Sequence, residues 1–301
     1  MSDRRDLMDS FLADAGMARW TRQTLAGDAS TRRYTRLSHN GQSAIAMDAP
    51  PETGEDTRAF AQIGGYLSDL GPQHFAQWLD AHPQDSRQLY RAAADILVRL
   101  HQERPDFTLP ELTPAVGGEM IALLNPFYAD RPVDDLVGAM IGAMQELAPV
   151  ADTIALRDFH AENLIWRPDR RGPAWVGLLD FQDALIAPAG YDLASLLRDA
   201  RRDVAADIVS GTAAYFAEQT KPGNDFAAQL ACLGAQRNLR ILGVFARLAK
   251  TRNKPRYLAL LPRVWSNLML DLTHPALGRL RQEVIATLPE PDATHLARLH
   301  P

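Results

Sequence analysis

"LRDFHAENLIW", Leu156 to Trp166, places an Asp, a His, a Glu and an Asn within six residues. Asp158 and Asn163 are five residues apart, and Asp180 follows seventeen residues after Asn163, at the end of "VGLLD". Such a spacing is common by chance, and Asp and Asn often cap turns in structural loops. The sequence on both sides of the stretch decides between an ordinary loop and a catalytic one.

Short segments of β-strand character surround this loop. "TIAL" precedes it, "NLIW" closes it, and "WVGLLDF" carries Asp180. The turn-rich "RPDRRGP", Arg167 to Pro173, separates the second segment from the third. We therefore expect a hairpin that brings Asn163 and Asp180 together, and this context favours the catalytic interpretation.

Phosphoryl transfer requires the side-chain types that these two loops carry. One carboxylate orients the attacking hydroxyl and accepts its proton, while an amide oxygen and a second carboxylate hold Mg²⁺ against the phosphates. Mg²⁺ is a hard ion that prefers oxygen ligands, so an Asn and an Asp are suitable donors. An apolar strand that leads into Asp180 would hold that ligand rigidly.

Composition and charge exclude several classes of protein. The net charge is −5, whereas nucleic-acid-binding proteins usually have a basic face, so we expect no nucleic-acid partner. The single cysteine, Cys232, excludes an internal disulfide and fits a reducing cytoplasm. The first residues lack the apolar core of a secretory signal, and no apolar run reaches the ~18 residues that span a bilayer. We expect a cytoplasmic protein without membrane contact.

Hydrophobic periodicity divides the chain into a small β-rich part and a large helical part, which predicts an α+β fold. In the first part we expect a helix, three strands and a second helix, at Asp6–Ala15, Trp20–Leu25, Tyr34–Ser38, "SAIAMD" and Glu55–Leu70. "HNGQ" is a hairpin turn between the last two strands. In the second part the clearest helices are at Ser86–His101 and Met140–Leu147, and the chain after Tyr191 is helical.

"RDFHAENLIW…GLLDFQDALIAPAGYDLASLLRDAR" resembles the catalytic core of the aminoglycoside-phosphotransferase-like kinases, which share the two-lobed protein-kinase fold. "GDASTRRY", "AMDAPP" and "QRNLRILGVFARL…KPRYLALLPRVW" resemble a narrower branch, the bacterial kinases that phosphorylate the anomeric hydroxyl of N-acetylmuramate and N-acetylglucosamine in cell-wall recycling. The resemblance covers nearly the whole chain. It implies ATP and Mg²⁺ as cofactors and a small sugar as the substrate.

The resemblance also implies roles for individual residues. Asp158 is the expected catalytic base, and Asn163 and Asp180 are the expected Mg²⁺ ligands. "GDASTRR" stands where a phosphate-covering loop lies between the first two strands, so its backbone N–H groups and arginine charges would bind ATP. The expected nucleotide-binding residues are Asp28, Ala29, Ser30, Thr31, Arg32 and Arg33, although the two arginines are equally well explained as solvated hairpin charges.

Several positions depart from the family pattern. The third strand usually carries a Lys that binds the α- and β-phosphates, whereas "SAIAMD" places Met47 near that position. Some other cation would have to replace this Lys, and Arg33 or Arg36 are the candidates. Leu156 stands where many of these kinases have His, and His160 is interpreted as a residue that braces the loop.

Other charged residues each allow two interpretations. Asp183 would contact a second metal or the substrate, or else cap a turn. Asp192 begins a helix and is explained locally as its N-cap, although in the family it also braces the catalytic loop. A local excess of basic residues is either a solvated helix face or the source of one or two arginines that bind the lactyl carboxylate of the sugar. These residues are Arg237, Arg240, Arg247, Lys250, Arg252, Lys254 and Arg256.

The N-terminal lobe is shorter than the resemblance requires. The family's lobe ends with two strands that lead into an adenine-binding hinge. In this chain Gly71, at the end of the predicted helix, is followed directly by Pro72, at the start of the helical part, so no β-rich segment lies between the two parts. We expect an N-lobe at residues 1–71 without two strands and the hinge, and a helical C-lobe at residues 72–301 with the catalytic and metal loops. The shortening would weaken adenine binding and leave an unpaired sheet edge, at which copies of an otherwise monomeric protein associate.

Three functional hypotheses follow. The first is an ATP-dependent sugar 1-kinase. The second keeps the reaction but takes an aminoglycoside, choline or another small alcohol as acceptor; the local arginine excess argues against a cationic aminoglycoside. The third is a pseudokinase-like binding protein that the shortened lobe has impaired. The intact Asp158, Asn163 and Asp180 favour the first two hypotheses, and the missing strands favour the third.

Overall fold

The structure is a computed structural model that describes residues 4–25, 33–40, 42–48, 75–167, 170–223 and 225–300. The chain divides into two compact units, residues 1–61 and 62–301. The predicted helix Glu55–Leu70 and the predicted boundary at residue 71 lie outside the described residues. The extent of the N-lobe therefore stays a prediction.

The first unit contains one helix and a meander of three strands. α1 (Arg4–Asp14) is followed by β1 (Thr21–Leu25), β2 (Arg33–His39) and β3 (Gln42–Asp48), which form an antiparallel sheet in that order. His39 pairs with Gln42, so the turn between them has two residues. Asn40 adopts φ 46°, the left-handed conformation that such tight turns require. The predicted hairpin and strands are confirmed, to within one residue at each strand end.

One face of this sheet is buried and the other is more open. Leu37 of β2 and Ala46 of β3 are buried together with Leu12 of α1, whereas Ile45 is 52% exposed. Successive side chains of a strand point to opposite faces, so this alternation is what attaches α1 to one side only. Arg4 of α1 forms an ion pair with Asp48, which lies on the same face as Ala46.

The second unit is mainly helical. Its described α-helices and strands are, in chain order, α2 (Phe75–Ala81), α3 (Ser86–Gln102), α4 (Pro114–Ile121), α5 (Leu124–Phe127), α6 (Asp134–Leu147), β4 (Thr153–Ala155), β5 (Leu164–Trp166), β6 (Val176–Leu178), β7 (Leu185–Ala187), α7 (Tyr191–Leu197), α8 (Ala206–Thr220), α9 (Phe226–Arg252), α10 (Leu261–Asp271), α11 (Gly278–Thr287) and α12 (Ala293–Leu299). Turns of 3₁₀ helix lie at Pro83–Asp85, Ala161–Asn163, Gly172–Trp175, Pro255–Leu260 and Pro275–Leu277.

The predicted helices of this unit are found, with differences at their ends. α3 buries Leu89, Ile96 and Leu97 at helical spacing and ends one residue later than predicted. α6 begins at Asp134, six residues before the predicted start. Its first turns contain Gly138 and Gly142, which weaken the helical signal in the sequence because glycine is a poor helix former.

Two small antiparallel pairs of strands carry the loops of interest. β5 pairs with β6 as the predicted hairpin, and β4 pairs with β7. β7 was not predicted from the sequence. Its three residues are too few for a pattern, and their extended backbone is fixed by neighbours distant in the chain. Ile186 donates its N–H to the Pro110 carbonyl at 2.8 Å, and its own carbonyl accepts from Leu112 N–H at 2.7 Å.

α9 is the central helix of the second unit. It is buried along most of its length and packs against α4, α5, α6, α7 and α10. The Asp225 side chain caps its first turn by accepting the Ala228 N–H at 3.2 Å, and Asn253 ends it at φ 50°. Within the part of the chain that the structure describes, no helix is long and apolar enough to cross a membrane.

Candidate active site

The β5–β6 hairpin joins the two loops that the sequence singled out. Leu164 lies opposite Leu178, and one residue further the Leu179 N–H donates to the Asn163 carbonyl at 2.9 Å. Asn163 is therefore held opposite the residue that immediately precedes Asp180. The predicted approach of Asn163 and Asp180 is confirmed, while their roles stay a prediction.

Asp158 lies in the catalytic loop, defined as residues 156–163, between β4 and β5. Its side chain is half-buried, and its N–H bonds back to the Leu156 carbonyl at 3.0 Å. Arg157 adopts φ 74° in the same turn. A left-handed conformation is unfavourable for a residue with a side chain and persists only where the surroundings enforce it. The tight turn thus has to be held from outside the loop.

Asp192 holds the beginning of this loop. Its carboxylate accepts the N–H of Leu156 at 2.5 Å and that of Arg157 at 2.9 Å. The interpretation of Asp192 as an N-cap is wrong, because Gly190 is the N-cap of α7 and no side chain bonds there. The bracing that the family resemblance implies is what the structure shows. Burial raises the pKa of Asp192 to about 7, against the lowering effect of the two N–H bonds.

Asp199 holds the other end of the loop, and the sequence did not suggest it. Its buried carboxylate accepts the Ala161 N–H at 3.3 Å and the Arg201 N–H at 2.8 Å. In the sequence Asp199 stands in "LRDARRD", where a carboxylate among arginines is usually a solvated charge. No local pattern would have distinguished it, since the loop that it holds lies 38 residues earlier.

His160 is buried inside the loop and acts as a brace. Its Nε2 lies 3.3 Å from Arg201 Nη1 and 3.4 Å from Asn163 Nδ2, and both of these groups are donors. Nε2 is therefore the acceptor of a neutral ring. Burial, with the nearby charges of Arg201 and Arg237, holds the pKa of His160 well below its usual value. Glu162 is exposed and forms an ion pair with Arg201 at 2.8 Å.

The donor atoms of Asn163 and Asp180 fit a small divalent cation. Asn163 uses Nδ2 to bond the Asp158 carbonyl at 2.9 Å, which orients its amide so that Oδ1 is the atom left to act as a ligand. Asp180 is exposed at φ 55° and accepts from Gln182 Nε2 at 2.6 Å. In the described ranges no group of three or more His, Cys, Asp or Glu could enclose a metal. Mg²⁺ commonly takes one or two protein oxygens and completes its shell with phosphates and water.

The predicted nucleotide-binding residues lie mostly beyond what the structure describes. Asp28, Ala29, Ser30, Thr31 and Arg32 are outside the described residues, and Arg33 is the exposed first residue of β2. The structure thus leaves their role a prediction.

The register of β2 and β3 separates the two cations that could replace the missing Lys. Arg33 lies opposite Asp48, on the face that α1 covers, and Arg36 lies opposite Ile45. Because residues directly opposite share a face and alternate residues of one strand do too, Arg36 lies on the same face as Met47. Arg36 is therefore the candidate that shares the face of Met47, the residue that the resemblance places near the family's Lys.

The basic residues of α9 and the segment after it do not share one environment. The solvated interpretation holds for the exposed members, which are Arg247, Lys250, Arg252 and Arg256. It is wrong for Arg237, which is only 4% exposed and lies close enough to Asp158 for the two charges to interact. The sequence pattern had not separated this residue from the rest.

Comparisons with known proteins identify the family. The profile of the family described as "Phosphotransferase enzyme family" matches residues 67–230. An N-acetylmuramate/N-acetylglucosamine kinase of Caulobacter vibrioides is 32% identical, with 93% of this chain and 95% of the relative covered. A protein of the same name from Pseudomonas aeruginosa is 29% identical, with 88% of each covered. The Caulobacter alignment extends over 350 positions, more than the 301 residues of this chain, so part of that relative has no counterpart here.

The likeness to solved structures concerns the fold. Choline kinase LicA from Streptococcus pneumoniae superposes with a TM-score of 0.64 at 13% identity, with 89% of this chain and all of that chain covered. This likeness confirms the α+β, kinase-like fold that the sequence predicted. The family profile and the curated relatives make the chain an enzyme of the phosphotransferase class. The chain belongs to the phosphotransferase enzyme family.

Proposed function

We propose that this protein is an ATP-dependent kinase that phosphorylates the anomeric hydroxyl of N-acetylmuramate and N-acetylglucosamine. The observation that carries the proposal is the bond from Leu179 N–H to the Asn163 carbonyl, which joins the loop of Asp158 to the loop of Asp180. The sugars come from the relatives, whose printed name is N-acetylmuramate/N-acetylglucosamine kinase.

In the proposed reaction Asp158 accepts the proton of the sugar hydroxyl while that hydroxyl attacks the terminal phosphate of ATP; the bond from that phosphate to the bridging oxygen breaks, and ADP leaves. Its placement rests on the two carboxylates that hold the loop, and on Asn163, which bonds the Asp158 carbonyl. Asn163 Oδ1 and the Asp180 carboxylate are the groups that would hold Mg²⁺. When bound, Mg²⁺ neutralises charge on the phosphates and orients them. The remaining work of the chain is to position donor and acceptor, which is where most catalysis of phosphoryl transfer comes from.

We propose the cytoplasm as the cellular setting. A single, buried Cys232 without a disulfide is in keeping with a reducing cytoplasm. We propose a monomer that takes a small sugar and ATP, with association at the edge of the N-terminal sheet as its route to larger assemblies.

An acceptor panel tests the function. The full chain is incubated with millimolar Mg-ATP and N-acetylmuramate, N-acetylglucosamine, choline or kanamycin, and ADP release is followed. We expect turnover with the two sugars. Asp158→Asn should reduce kcat by about 10²- to 10⁴-fold, the usual contribution of a positioned base, and leave ATP binding intact.

The same panel can contradict the proposal in two ways. Turnover only with choline or kanamycin would contradict the sugar assignment and favour the alternative acceptors, choline or an aminoglycoside. Folded protein without turnover on any acceptor would favour the pseudokinase-like alternative. Asp135→Asn is the matched control for Asp158→Asn, because Asp135 is an exposed carboxylate of α6 that lies outside the loops of Asp158 and Asp180.

A further inference from the structure

Three consecutive polar residues are buried in the middle of α9. Gln236, Arg237 and Asn238 are 0%, 4% and 0% exposed. Consecutive helix residues point in directions about 100° apart, so the three side chains reach three different neighbours. Gln236 Nε2 donates to the Gly117 carbonyl in α4 at 3.0 Å, and Asn238 Nδ2 donates to Asp271 in α10 at 3.3 Å. Arg237 lies close enough to Asp158 in the catalytic loop for their charges to interact.

Arg237 is surrounded by charge but has an unsatisfied donor. Its buried Nη1 has no hydrogen-bond partner among the described residues. A buried cation is unfavourable unless opposite charges compensate it. The charged and titratable groups near enough to influence Arg237, or to be influenced by it, are Asp158, His160, Tyr191, Asp192, Asp199 and Arg240. Asp192 and Asp199 are the two carboxylates that hold the ends of the catalytic loop.

We infer that Arg237 is a positioning residue, which supplies the positive charge for the two carboxylates that hold the catalytic loop. The inference rests on the proposed function only in taking residues 156–163 as the loop that carries the base. Arg237 is close enough to Asp158 for their charges to interact, but it is assigned no contact with the sugar or the phosphates. It acts through Asp192 and Asp199, and its absence should loosen the loop without changing the surface that the substrates meet.

The consequence for pH dependence follows from Asp192. Burial raises the pKa of this carboxyl to about 7, Arg237 lowers it, and Asp158 raises it. Without Arg237 the pKa of Asp192 rises further, so the group is protonated at neutral pH. Protonation turns one carboxyl oxygen into an O–H donor and makes the group a weaker acceptor. A protonated Asp192 therefore cannot hold the N–H groups of Leu156 and Arg157 as before. The loop is then held only at higher pH, where Asp192 is ionised again.

Kinetics of charge variants test this inference. Arg237→Met removes the charge at similar volume, Arg237→Lys keeps it, and Arg247→Met is the matched control on the exposed side of α9. For each full-length variant, kcat and KM for both sugars are measured from pH 6 to 9. If the pKa of Asp192 rises by one unit from about 7, Arg237→Met should lose about fivefold in kcat at pH 7 and about tenfold at pH 6. The KM values for both sugars should stay within about twofold, because the surface that the substrates meet is unchanged. A twofold change in KM corresponds to less than half of a tenfold step in binding free energy.

Recovery at high pH distinguishes positioning from mere structural support. The kcat of Arg237→Met should approach the wild-type value by pH 9, whereas Arg237→Lys and Arg247→Met should keep the wild-type acid limb. A loss that is the same at every pH would overturn the inference. So would a loss confined to N-acetylmuramate with a raised KM, because that pattern means direct binding of the substrate's carboxylate. If Arg237→Met does not fold, a shifted acid limb in Arg237→Lys would overturn it instead.

Hydrogen exchange gives a readout that does not depend on turnover. Exchange of the peptide that covers residues 156–163 is measured in Arg237→Met and Arg247→Met at the same pH. We expect faster exchange in Arg237→Met at pH 7 and no difference at pH 9, and equal exchange at pH 7 would contradict the inference. If the wild-type chain turns over neither sugar, the proposed function fails while this measurement still decides the role of Arg237.

Discussion

The side chains that would perform the reaction and those that position them differ in how far the sequence reveals them. Asp158, Asn163 and Asp180 were found because a short loop and a hairpin bring them together, and both are visible in local sequence patterns. Asp199 was missed, and Arg237 was named only as one of seven basic residues, because both act on the loop from far along the chain. A buried charge among arginines looks like a solvated one in sequence, and burial is decided only by tertiary packing.

A single substitution on β2 tests which arginine replaces the missing Lys. Because Arg36 shares the face of Met47 and Arg33 does not, we expect Arg36→Met to raise the KM for ATP about tenfold or more, the loss of one charge-assisted contact to phosphate. The kcat at saturating ATP should change little. Steady-state kinetics with varied ATP provide the measurement, and Arg33→Met is the matched control on the opposite face. A larger effect of Arg33→Met would reverse the assignment.

At the scale of elements, α9 depends on close contacts that only small residues allow. A Cβ on Gly234 would lie 2.3 Å from Asp271 Oδ2, in α10. The same Asp271 bonds Arg198 at 2.7 Å and Asn238 at 3.3 Å, so it cannot easily move. Burial raises the pKa of Asp271 to about 6. Gly234 therefore lets α9 approach a fixed, charged side chain, which no helical periodicity in the sequence would indicate.

Two glycine substitutions should have opposite effects on stability. Gly234→Ala should lower the free energy of unfolding by about 1–3 kcal/mol, the usual effect of overpacking. Gly138→Ala, in α6, meets nothing within 4 Å and should raise it by ~0.5–1 kcal/mol, because alanine is the better helix former. Urea denaturation of both variants is the measurement. Equal effects of the two changes would mean that the contact with Asp271 relaxes without cost.

Prediction of the elements succeeded where the pattern is local and failed where it is not. α3 and the two hairpins were predicted because periodicity and turn residues specify them. β7 was missed because its pairing partners lie elsewhere in the chain. The local interpretation of Asp192 as an N-cap was wrong, because its carboxylate instead holds the distant catalytic loop. In each failure a distant contact overrode a plausible local one.

At the scale of the whole molecule, the kinase-like fold was predictable and the state of the N-lobe was not. The catalytic loop, the expected metal ligands and the residues that hold them all belong to the second unit. The first unit has a three-stranded sheet in its described residues. The loss of two strands and a hinge stays a prediction, because residues 49–74 lie outside the described residues.

This proposed shortening makes a prediction about nucleotide affinity. Without hinge backbone groups to bond adenine, we expect Mg-ATP to bind with a Kd near the millimolar range, equivalent to about −4 kcal/mol. Isothermal titration calorimetry with ATP, in the presence and absence of Mg²⁺, measures it. Micromolar, Mg²⁺-dependent binding would contradict the idea of a weakened nucleotide site and leave the shortened lobe without a functional cost.

The anchors of the catalytic loop also set the order in which this enzyme can be completed during synthesis. The loop leaves the ribosome well before Asp192, Asp199 and Arg237, and Arg237 sits in a helix that is itself tied to Asp271. Contacts between distant segments form late, because the chain between them must first be closed into a loop. A nascent chain that already contains the whole Asp158–Asn163–Asp180 pattern would therefore lack an ordered loop until α9 and α10 have been made. Premature termination before α9 would yield the motif without the catalyst.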